Sequence, residues 1–535
     1  MAYEAIWSKD QKLNDVEHIK LLKDGLDVIQ TIIDNYSKEG YDSITSEDMN
    51  RFKWAGVYEQ KPKEGYFMMR VRINSGIMSS EQAKVLASIS KDYGRGVANV
   101  TTRGAVQFHW VQVKDLPVIF EKLKACGLSS FEACGDCPRT IVGNPLAGID
   151  KDELIDTSEI IEQVNNFFLL NKDFSNLPRK FKISISASVH NAAHAQINDL
   201  AFTPAIKHID GKDVVGFHVW VGGGLSANPH LAQELDLFVK PQEVLKVAVG
   251  VCTIFRDYGY REKRTHARLK FLVADWGIEK FKNKLLELIG DMPNKGESKL
   301  TSWNASYYFG VHSQKQTGKS YIGINLPLGE ICADELFELV DISEKYGDSK
   351  IRTTLSQNLI ITGINDEDLP SLLKKDVFKH LSPNPSTFLG YTVSCTGKEF
   401  CNLAIVETKE RARKIIEYLD SKIQLDTPLR IHFTGCPNSC GQKHIADISL
   451  QGALIKTENS CDEAFTIWLG GTLSNNGDFA KNLNCRVKAA EIHIVLEIII
   501  LFFKENRLEN ETFNKFINRV GTDIISKNIL TKQTL

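Results

Sequence analysis

Four cysteines in the last third of the chain have types and spacing that could bind a metal cluster. They form two pairs: Cys395 and Cys401 have five residues between them, and Cys436 and Cys440 have three. Thiolates are the soft ligands that hold iron–sulfur clusters, and a [4Fe–4S] cube takes four of them. A structural zinc ion, which usually has two or four residues inside each pair, and four unrelated buried thiols remain open at this point.

The second cysteine pair lies in the sequence TGCPNSCGQ, which favours a tight loop. A strand-like run, LRIHF, leads into it. Glycine tolerates positive φ, so we expect Gly435 and Gly441 to adopt it, and Pro437 fixes its own φ and cannot donate a hydrogen bond. The sequence therefore predicts a strand followed by a bent loop that presents both thiols.

The cysteine pattern resembles a known cluster signature. Cys-x5-Cys followed by TGCPNSCGQ is similar to the signature of the siroheme-containing sulfite and nitrite reductases, and the resemblance extends over roughly residues 50–505. It implies two cofactors, siroheme and a [4Fe–4S] cluster held by all four cysteines. It also implies that Cys440 bonds a cluster iron and the siroheme iron together.

Composition places the chain among ordinary globular proteins. It has 535 residues, 42% hydrophobic and 25% charged, which is enough for two to four domains with a large core. Lys+Arg 65 against Asp+Glu 67 gives a net charge of −2, so no general bias toward nucleic acid exists. No secretory signal or membrane span is visible, and eleven cysteines suit a reducing compartment, so we expect a cytoplasmic protein.

The chain contains an internal repeat. Ser75–Gly94 matches Leu328–Gly347 at an offset of 253 residues, and Phe217–Ser226 matches Phe465–Ser474 at an offset of 248. The order is small unit, large unit, small unit, large unit. This predicts a duplicated α+β fold with pseudo-twofold symmetry, in which ferredoxin-like small units alternate with larger α/β siroheme and [4Fe–4S] units. The predicted domains are residues 1–60 (helical extension and linker), 61–126, 127–305, 306–378 and 379–535.

The differences between the repeats indicate where a site could lie. Arg70 corresponds to Gly323 at one offset, whereas Ala192 corresponds to Cys440 at the other. One half has kept cations and the other has kept thiolates. A site between the halves would therefore combine anion-binding groups from the first with metal ligands from the second.

Short motifs of the first half are rich in polar and cationic side chains. Arginine forks and lysine ammonium groups bind oxyanions and carboxylates, and siroheme carries eight carboxylates. The resemblance implies a substrate pocket on the distal face of the siroheme formed by Arg70, Arg139, Lys180 and Lys182. It implies siroheme-carboxylate contacts from Arg103, Gln107, His109 and Arg179. The resemblance supports the same role less strongly for Arg268 and Lys270. Asn99 stands where some family members have a further arginine.

Lys182 is the position that favours one substrate over another. LPRKFK resembles the sulfite reductases, whereas plant-type nitrite reductases have asparagine at the second lysine. Sulfite is largely a dianion near neutral pH and nitrite is a monoanion, so a second ammonium group favours sulfite. Some sulfite-reducing relatives also link a cysteine to a tyrosine beside the haem; Cys134 and Tyr58 are the candidates here, and an unlinked pair is the alternative.

The resemblance thus implies six-electron reduction of sulfite to sulfide, with nitrite to ammonia as the alternative. A non-catalytic siroheme or cluster protein, and a structural [4Fe–4S] domain without haem, are other classes. No flavin or nicotinamide motif is visible, because GGG near residue 222 lacks the GxGxxG context. We therefore expect a protein electron donor, ferredoxin first and an NADPH flavoprotein second, and a monomer that binds neither nucleic acid nor membrane.

Overall fold

The computed structural model describes residues 12–303, 307–456, 460–474 and 477–533. Its first segment is helical, as the apolar spacing predicts; residues 1–11 lie outside the described part. The helices are α1 (Asp15–Leu22), α2 (Val28–Thr31), α3 (Ser37–Glu39) and α4 (Ser46–Arg51). α1 begins where the Asn14 side chain accepts the Val16 N–H. Glu17 and Lys20 of α1 are buried, so this helix packs into the protein.

The first small unit is a sheet covered by two helices. Its elements are β1 (Val57–Glu59), β2 (Tyr66–Val71), β3 (Ile77–Ser79), α5 (Ser80–Tyr93), β4 (Val97–Val100), β5 (Val106–Gln112) and α6 (Leu116–Ala125). A capping box between Ser79 and Gln82 starts α5, which buries an apolar face at helical spacing that includes Ala83 and Leu86.

The first large unit follows. Its elements are α7 (Ser158–Phe168), β6 (Ile183–Ile185), β7 (Leu200–Ile209), β8 (Lys212–Val221), β9 (Gln233–Val239), α8 (Val244–Tyr258), α9 (Leu269–Trp276), α10 (Ile278–Ile289) and β10 (Glu297–Ser298). The strand order is β10-β7-β8-β9, and β6 pairs with β7 in parallel. The buried face of α8 packs in the same core as these strands.

The second small unit repeats the first. Its elements are β11 (Gly310–Ser313), β12 (Lys319–Ile324), β13 (Glu330–Cys332), α11 (Ala333–Tyr346), β14 (Lys350–Thr353), β15 (Leu359–Asn365), α12 (Leu369–Leu372) and α13 (Val377–His380). The bounds of β12, β13, α11, β14 and β15 are those of β2, β3, α5, β4 and β5 displaced by the same 253 residues that separate the sequence repeats. The duplication read from the sequence is therefore structural.

The second large unit completes the chain. Its elements are α14 (Thr387–Gly390), β16 (Thr392–Ser394), α15 (Lys409–Lys422), β17 (Ile431–Thr434), β18 (Ile448–Lys456), β19 (Cys461–Leu469), β20 (Lys481–Lys488), α16 (Ile492–Asn506), α17 (Phe513–Val520) and α18 (Thr522–Gln533). The strand order is β16-β17-β18-β19-β20. α16 repeats α8 at the offset of 248.

The two small units exchange one strand each. β13 pairs with β4 of the first sheet, with Ile331 opposite Ala98, and β3 pairs with β14 of the second, with Ile351 opposite Met78. The chain turns before each exchanged strand at a non-glycine residue with φ of 55°. Both small units consequently share one apolar core.

This architecture confirms the expected duplicated α+β fold. Within the ranges described above, no helix has the length and apolar character that crossing a membrane would require.

Candidate active site

Strand topology places two of the four cysteines side by side. Cys395 directly follows β16, and Cys436 lies two residues beyond the end of β17. These strands are parallel neighbours, with Ser394 opposite Phe433, so their carboxyl ends meet at one edge of the sheet. Cys401 and Cys440 lie in the loops that continue from these ends.

The four thiols form an electrostatically connected group. Burial, with a smaller contribution from the charge of Cys440, raises the pKa of Cys395 to about 11 and that of Cys436 to about 12. Burial also raises the pKa of Cys401, again with a contribution from Cys440. Cluster formation requires thiolates, so iron binding here would release protons. In the described ranges, no three Cys, His, Asp or Glu side chains converge closely enough to share a single metal ion; a four-iron cube, by contrast, takes its ligands at separate corners.

The cysteine loop differs in one respect from the expectation. Neither Gly435 nor Gly441 has positive φ; Ser439 and Gln442 do, at 57° and 59°. The glycines are required by close packing instead, because a Cβ on Gly441 would lie 2.2 Å from the Phe433 carbonyl oxygen. The loop is compact because another backbone segment touches it.

Strand β5 of the first half meets the first cysteine loop. Gln107 accepts a hydrogen bond from Arg70 Nη2 at 3.0 Å, and its Nε2 is 3.3 Å from Thr396 Oγ1, in the residue after Cys395. His109 stacks on Phe400 with ring centroids 4.0 Å apart. Gln107 and His109 thus lie on one face of β5, as residues two apart in a strand do, and that face is turned toward the first cysteine loop.

His109 acts here as a neutral group. Burial lowers its pKa to about 3, with smaller contributions from two nearby cations. Its Nε2 accepts from Gln107 Nε2 at 3.0 Å, so Nδ1–H donates to Gln60 Oε1 at 3.2 Å. The side chain therefore contributes hydrogen bonding and packing, and adds no positive charge.

Lys180 interacts through its charge with Cys440 of the second cysteine loop, and Lys182 interacts in the same way with Lys180. They flank Phe181, which makes a single β-bridge with Pro138, and strand β6 begins only at Ile183. Both lysines therefore lie outside the strand, in the segment that leads into it. Burial, followed by the charges of Arg268 and Arg179, lowers the pKa of Lys180 to about 7, whereas the charge of Cys440 acts in the opposite direction.

The two lysines influence each other and their cationic surroundings. Burial lowers the pKa of Lys182 well below its usual value, and the charges of Lys180, Arg103 and Arg268 add to this effect. Like charges this close disfavour each other's ionised forms. Such a group of cations is suited to bind anions.

The predicted arginines are anchored by nearby carbonyls and acids. Arg139 donates to Gly135 O at 2.8 Å and Ala133 O at 3.0 Å, and Arg103 donates to Asn198 Oδ1 at 2.8 Å. Arg179 pairs with Asp136 at 3.2 Å. The weaker candidates have partners of their own: Arg268 binds both oxygens of Asp199, and Lys270 donates to the carbonyls of Leu225 and Asn228.

Donor chemistry in this region fits a polycarboxylate group. The Nε atoms of Arg70 and Arg103 are buried and have no hydrogen-bond partner among the residues that the structure describes. Buried donors of this kind are normally satisfied, so each is suited to a carboxylate that siroheme would supply.

Lys409 is a residue that the sequence did not single out. Its Nζ donates to Asn99 Oδ1 and pairs with Glu330 at 3.1 Å, although it opens a helix whose sequence, KERARK, resembles a solvated surface. It brings an ammonium group beside the asparagine that replaces a family arginine. The Thr102 hydroxyl likewise donates to the Cys440 carbonyl at 3.2 Å, joining the two halves.

Tyr58 and Cys134 are in contact, as their proposed link requires. Burial, then the charge of Cys134, raises the pKa of Tyr58 to about 12, and a hydrogen bond with Cys134 contributes. Cys134 Sγ also lies 3.5 Å from Arg70 Nη1. The pair therefore borders the predicted anion pocket.

Comparison with protein families matches both kinds of unit. The nitrite and sulphite reductase 4Fe-4S domain matches residues 134–291 and 388–534, and the nitrite/sulfite reductase ferredoxin-like half domain matches residues 58–126 and 312–375. Together these regions include most of the chain.

Individual proteins match along nearly the whole length. A ferredoxin–nitrite reductase of Synechococcus elongatus is 37% identical over 92% of this chain and 96% of its own. A sulfite reductase [ferredoxin] of Mycolicibacterium paratuberculosis is 36% identical over 96% of each. The structure of the Mycobacterium tuberculosis NirA protein superposes with a TM-score of 0.89 at 34% identity, covering 96% of this chain and 98% of that one. This chain belongs to the family of nitrite and sulfite reductases, oxidoreductases that carry siroheme and a [4Fe–4S] cluster.

Proposed function

We propose that this protein reduces sulfite to sulfide with six electrons. The observation that carries the proposal is the pair Lys180 and Lys182, two buried lysines that act on each other through their charges, with Cys440 acting on Lys180. When both are protonated, two cations in one desolvated pocket favour a dianion over a monoanion. The relatives bear the names of both nitrite and sulfite reductases, so the proposal depends on these pocket residues and not on the names.

The proposed roles are those that the family resemblance implies, and the contacts described above support them. Cys395, Cys401, Cys436 and Cys440 would hold the cluster, and Cys440 would also bind the siroheme iron. Arg103, Gln107 and Arg179 would hold siroheme carboxylates, and the neutral His109 would position Gln107. Arg70, Arg139, Lys180 and Lys182 bind the substrate oxygens.

The electron-transfer chemistry comes from siroheme and the cluster when they are bound. Arg70 and Arg139 hold the oxygens of the anion and stabilise negative charge as the oxygens leave. Lys180, with a pKa near 7, is suited to deliver protons near neutral pH, since a proton donor works best when its pKa is close to that of the medium. Burial of the pocket strengthens each of these interactions.

The electron donor proposed here is a ferredoxin. Relatives named for ferredoxin match over more than nine-tenths of this chain. We also propose that the protein acts as a cytoplasmic monomer, where its eleven cysteines, none of them in a disulfide, would stay reduced.

Reduction of nitrite to ammonia is the second candidate, favoured by the identity to the Synechococcus enzyme. The test is a pair of steady-state measurements with sulfite and nitrite, using one reduced ferredoxin at one salt concentration. A larger kcat/KM for sulfite supports the proposal, and a larger value for nitrite overturns it. A Soret band without turnover of either anion would indicate a non-catalytic protein.

A further inference from the structure

Helix α1 contributes two buried charges that the proposed reaction does not use. Glu17 and Lys20 are almost completely inaccessible to solvent. Lys20 Nζ lies 2.6 Å from Glu17 Oε1, 2.8 Å from the Leu177 carbonyl and 3.0 Å from Asp136 Oδ2. A single ammonium group thus bridges a carboxylate of its own helix and a carboxylate of a distant loop.

Asp136 belongs to the loop of residues 132–139, here called the anion loop because it presents Arg139. The guanidinium of Arg139 is oriented by carbonyls of the same loop, those of Ala133 and Gly135. Cys134, also in this loop, contacts Arg70. A shift of the loop backbone would therefore move one predicted substrate ligand and disturb its contact with a second.

Cations on two sides fix the Asp136 carboxylate. Arg264 binds both of its oxygens, at 2.8 and 3.1 Å, and Arg179 binds one at 3.2 Å; these two arginine side chains are 28% and 32% exposed. Lys20, at 1% exposure, holds the carboxylate from the protein interior. The position of the loop thus depends on a balance between an inner and an outer attachment.

The inner attachment can be removed without leaving a carboxylate unpaired. Glu17 also binds Arg261 at 2.7 Å, and Asp136 keeps Arg264 and Arg179. Because buried carboxylates without any partner are strongly destabilising and these retain partners, loss of the Lys20 charge should leave the fold intact. The substitution removes the ion pair that attaches Asp136 to the protein interior.

We propose that Lys20 is a positioning residue for substrate binding: from the N-terminal helix it holds Asp136 and thereby sets where the anion loop places Arg139. The expected effect of Lys20 on turnover rests on the proposed function, whereas its expected effect on the anion loop does not. This positioning role makes the helical N-terminal segment part of the apparatus that defines the anion pocket.

The test compares Lys20→Met with Glu17→Gln in the cofactor-loaded protein. Both variants remove one buried charge from α1, yet only Lys20→Met loses the bond to Asp136. Amide hydrogen exchange of residues 133–139 gives a readout that requires no turnover. We expect faster exchange in Lys20→Met and wild-type exchange in Glu17→Gln, with the same siroheme absorbance per protein in both.

The steady-state kinetic constants should also change in Lys20→Met and stay close to wild type in Glu17→Gln. In Lys20→Met the KM for the anion should rise roughly tenfold or more, since a misplaced binding group has effects of this order, while kcat changes less. Asp136→Asn, which weakens the same bond from the other side, should reproduce this pattern and provides the test if Lys20→Met does not fold. The proposal would be overturned if Lys20→Met and Glu17→Gln had the same exchange rates in the loop and the same KM. This holds whether those values match the wild type or differ from it. If Lys20→Met showed altered exchange but the wild type reduced neither sulfite nor nitrite, Lys20 would still position the loop. Only the proposed function would then be overturned.

Discussion

Lys182 and Asp199 are joined by a hydrogen bond from the backbone of the lysine, and the carboxylate also acts on the lysine side chain through its charge. The Lys182 N–H donates to Asp199 Oδ2 at 2.9 Å, while Arg268 binds both oxygens of that carboxylate. At the equivalent place 248 residues later, the Arg430 N–H donates to Asp447 at the same 2.9 Å, but there the Arg430 side chain itself binds the carboxylate at 2.6 and 2.9 Å. The first half uses a separate arginine for the acid, which leaves the ammonium of Lys182 for the pocket.

Replacement of Lys182 by asparagine should change substrate preference. Loss of a charge-assisted hydrogen bond costs about 1.5–3 kcal/mol, so kcat/KM for sulfite should fall by roughly one to two orders of magnitude if the bond is made in the transition state. The fall for nitrite should be smaller, because a monoanion interacts less with the lost charge. The measurement is the ratio of the two specificity constants with the same donor and salt. An unchanged ratio, or one displaced toward sulfite, would remove Lys182 as the determinant.

Substitution of Cys436 by serine should remove both cofactors together. The cluster needs four thiolates, and under the proposed assignment the siroheme iron is attached through Cys440 to that cluster. We expect iron and acid-labile sulfide to fall and most of the Soret absorbance to disappear. Cys252, a buried thiol in the core of the first large unit, offers the control: Cys252→Ala should keep both cofactors. Full iron, sulfide and Soret absorbance in Cys436→Ser would contradict the ligand assignment.

Arg70→Ala should impair anion turnover by at least tenfold in kcat/KM with little effect on the fold, since one charged contact to the anion is lost. Its repeat counterpart, Gly323, is unsuitable as a control, because a Cβ there would lie 1.6 Å from the Tyr308 carbonyl oxygen. Lys84→Ala, on the surface of the same small unit, removes a cation that pairs with Glu344. Equal kinetics in Arg70→Ala and Lys84→Ala would exclude Arg70 from the pocket.

Glu132 should make stability depend on pH. Burial raises its pKa from 4.5 to about 7, and its Oε1 has no hydrogen-bond partner within the described part of the chain. Between these two values the folded state binds the proton that the unfolded state has lost, so stability falls as the pH rises from 4.5 through 7. Glu132→Gln should remove this dependence and be more stable than wild type at pH 8 by up to about 3 kcal/mol. Denaturant unfolding at pH 5 and pH 8 measures the difference in free energy of unfolding between Glu132→Gln and wild type. If this difference were the same at both pH values, the assignment would be wrong.

The sequence predicts the duplication well because its repeats keep one register. The offset of 253 found between Gly76 and Gly329 reappears in the bounds of whole strands and helices. The offset does not show that β3 and β13 change sheets, since the pairing partner of a strand of three residues leaves no local signal in the sequence. Nor does it show that Lys409 is buried, because burial of a lysine depends on contacts made by distant segments.

For the predicted site residues, residue type and alternation were informative and local geometry was not. The face shared by Gln107 and His109 follows from the period of a strand. Position 441 requires glycine because the Phe433 carbonyl approaches too closely for a Cβ, and a sequence cannot reveal this contact. The pocket assignments themselves stay predictions until the variants above are measured.

Strand exchange between the small units affects how the chain can be made. During synthesis, β4 emerges some 230 residues before its partner β13, so its outer edge has no neighbour while the first large unit is being translated. An unpaired strand edge readily recruits other chains. A ribosome-bound or truncated fragment ending before residue 330 should therefore require chaperone protection or aggregate, and co-expression of the remaining segment should rescue its solubility by supplying the missing strand.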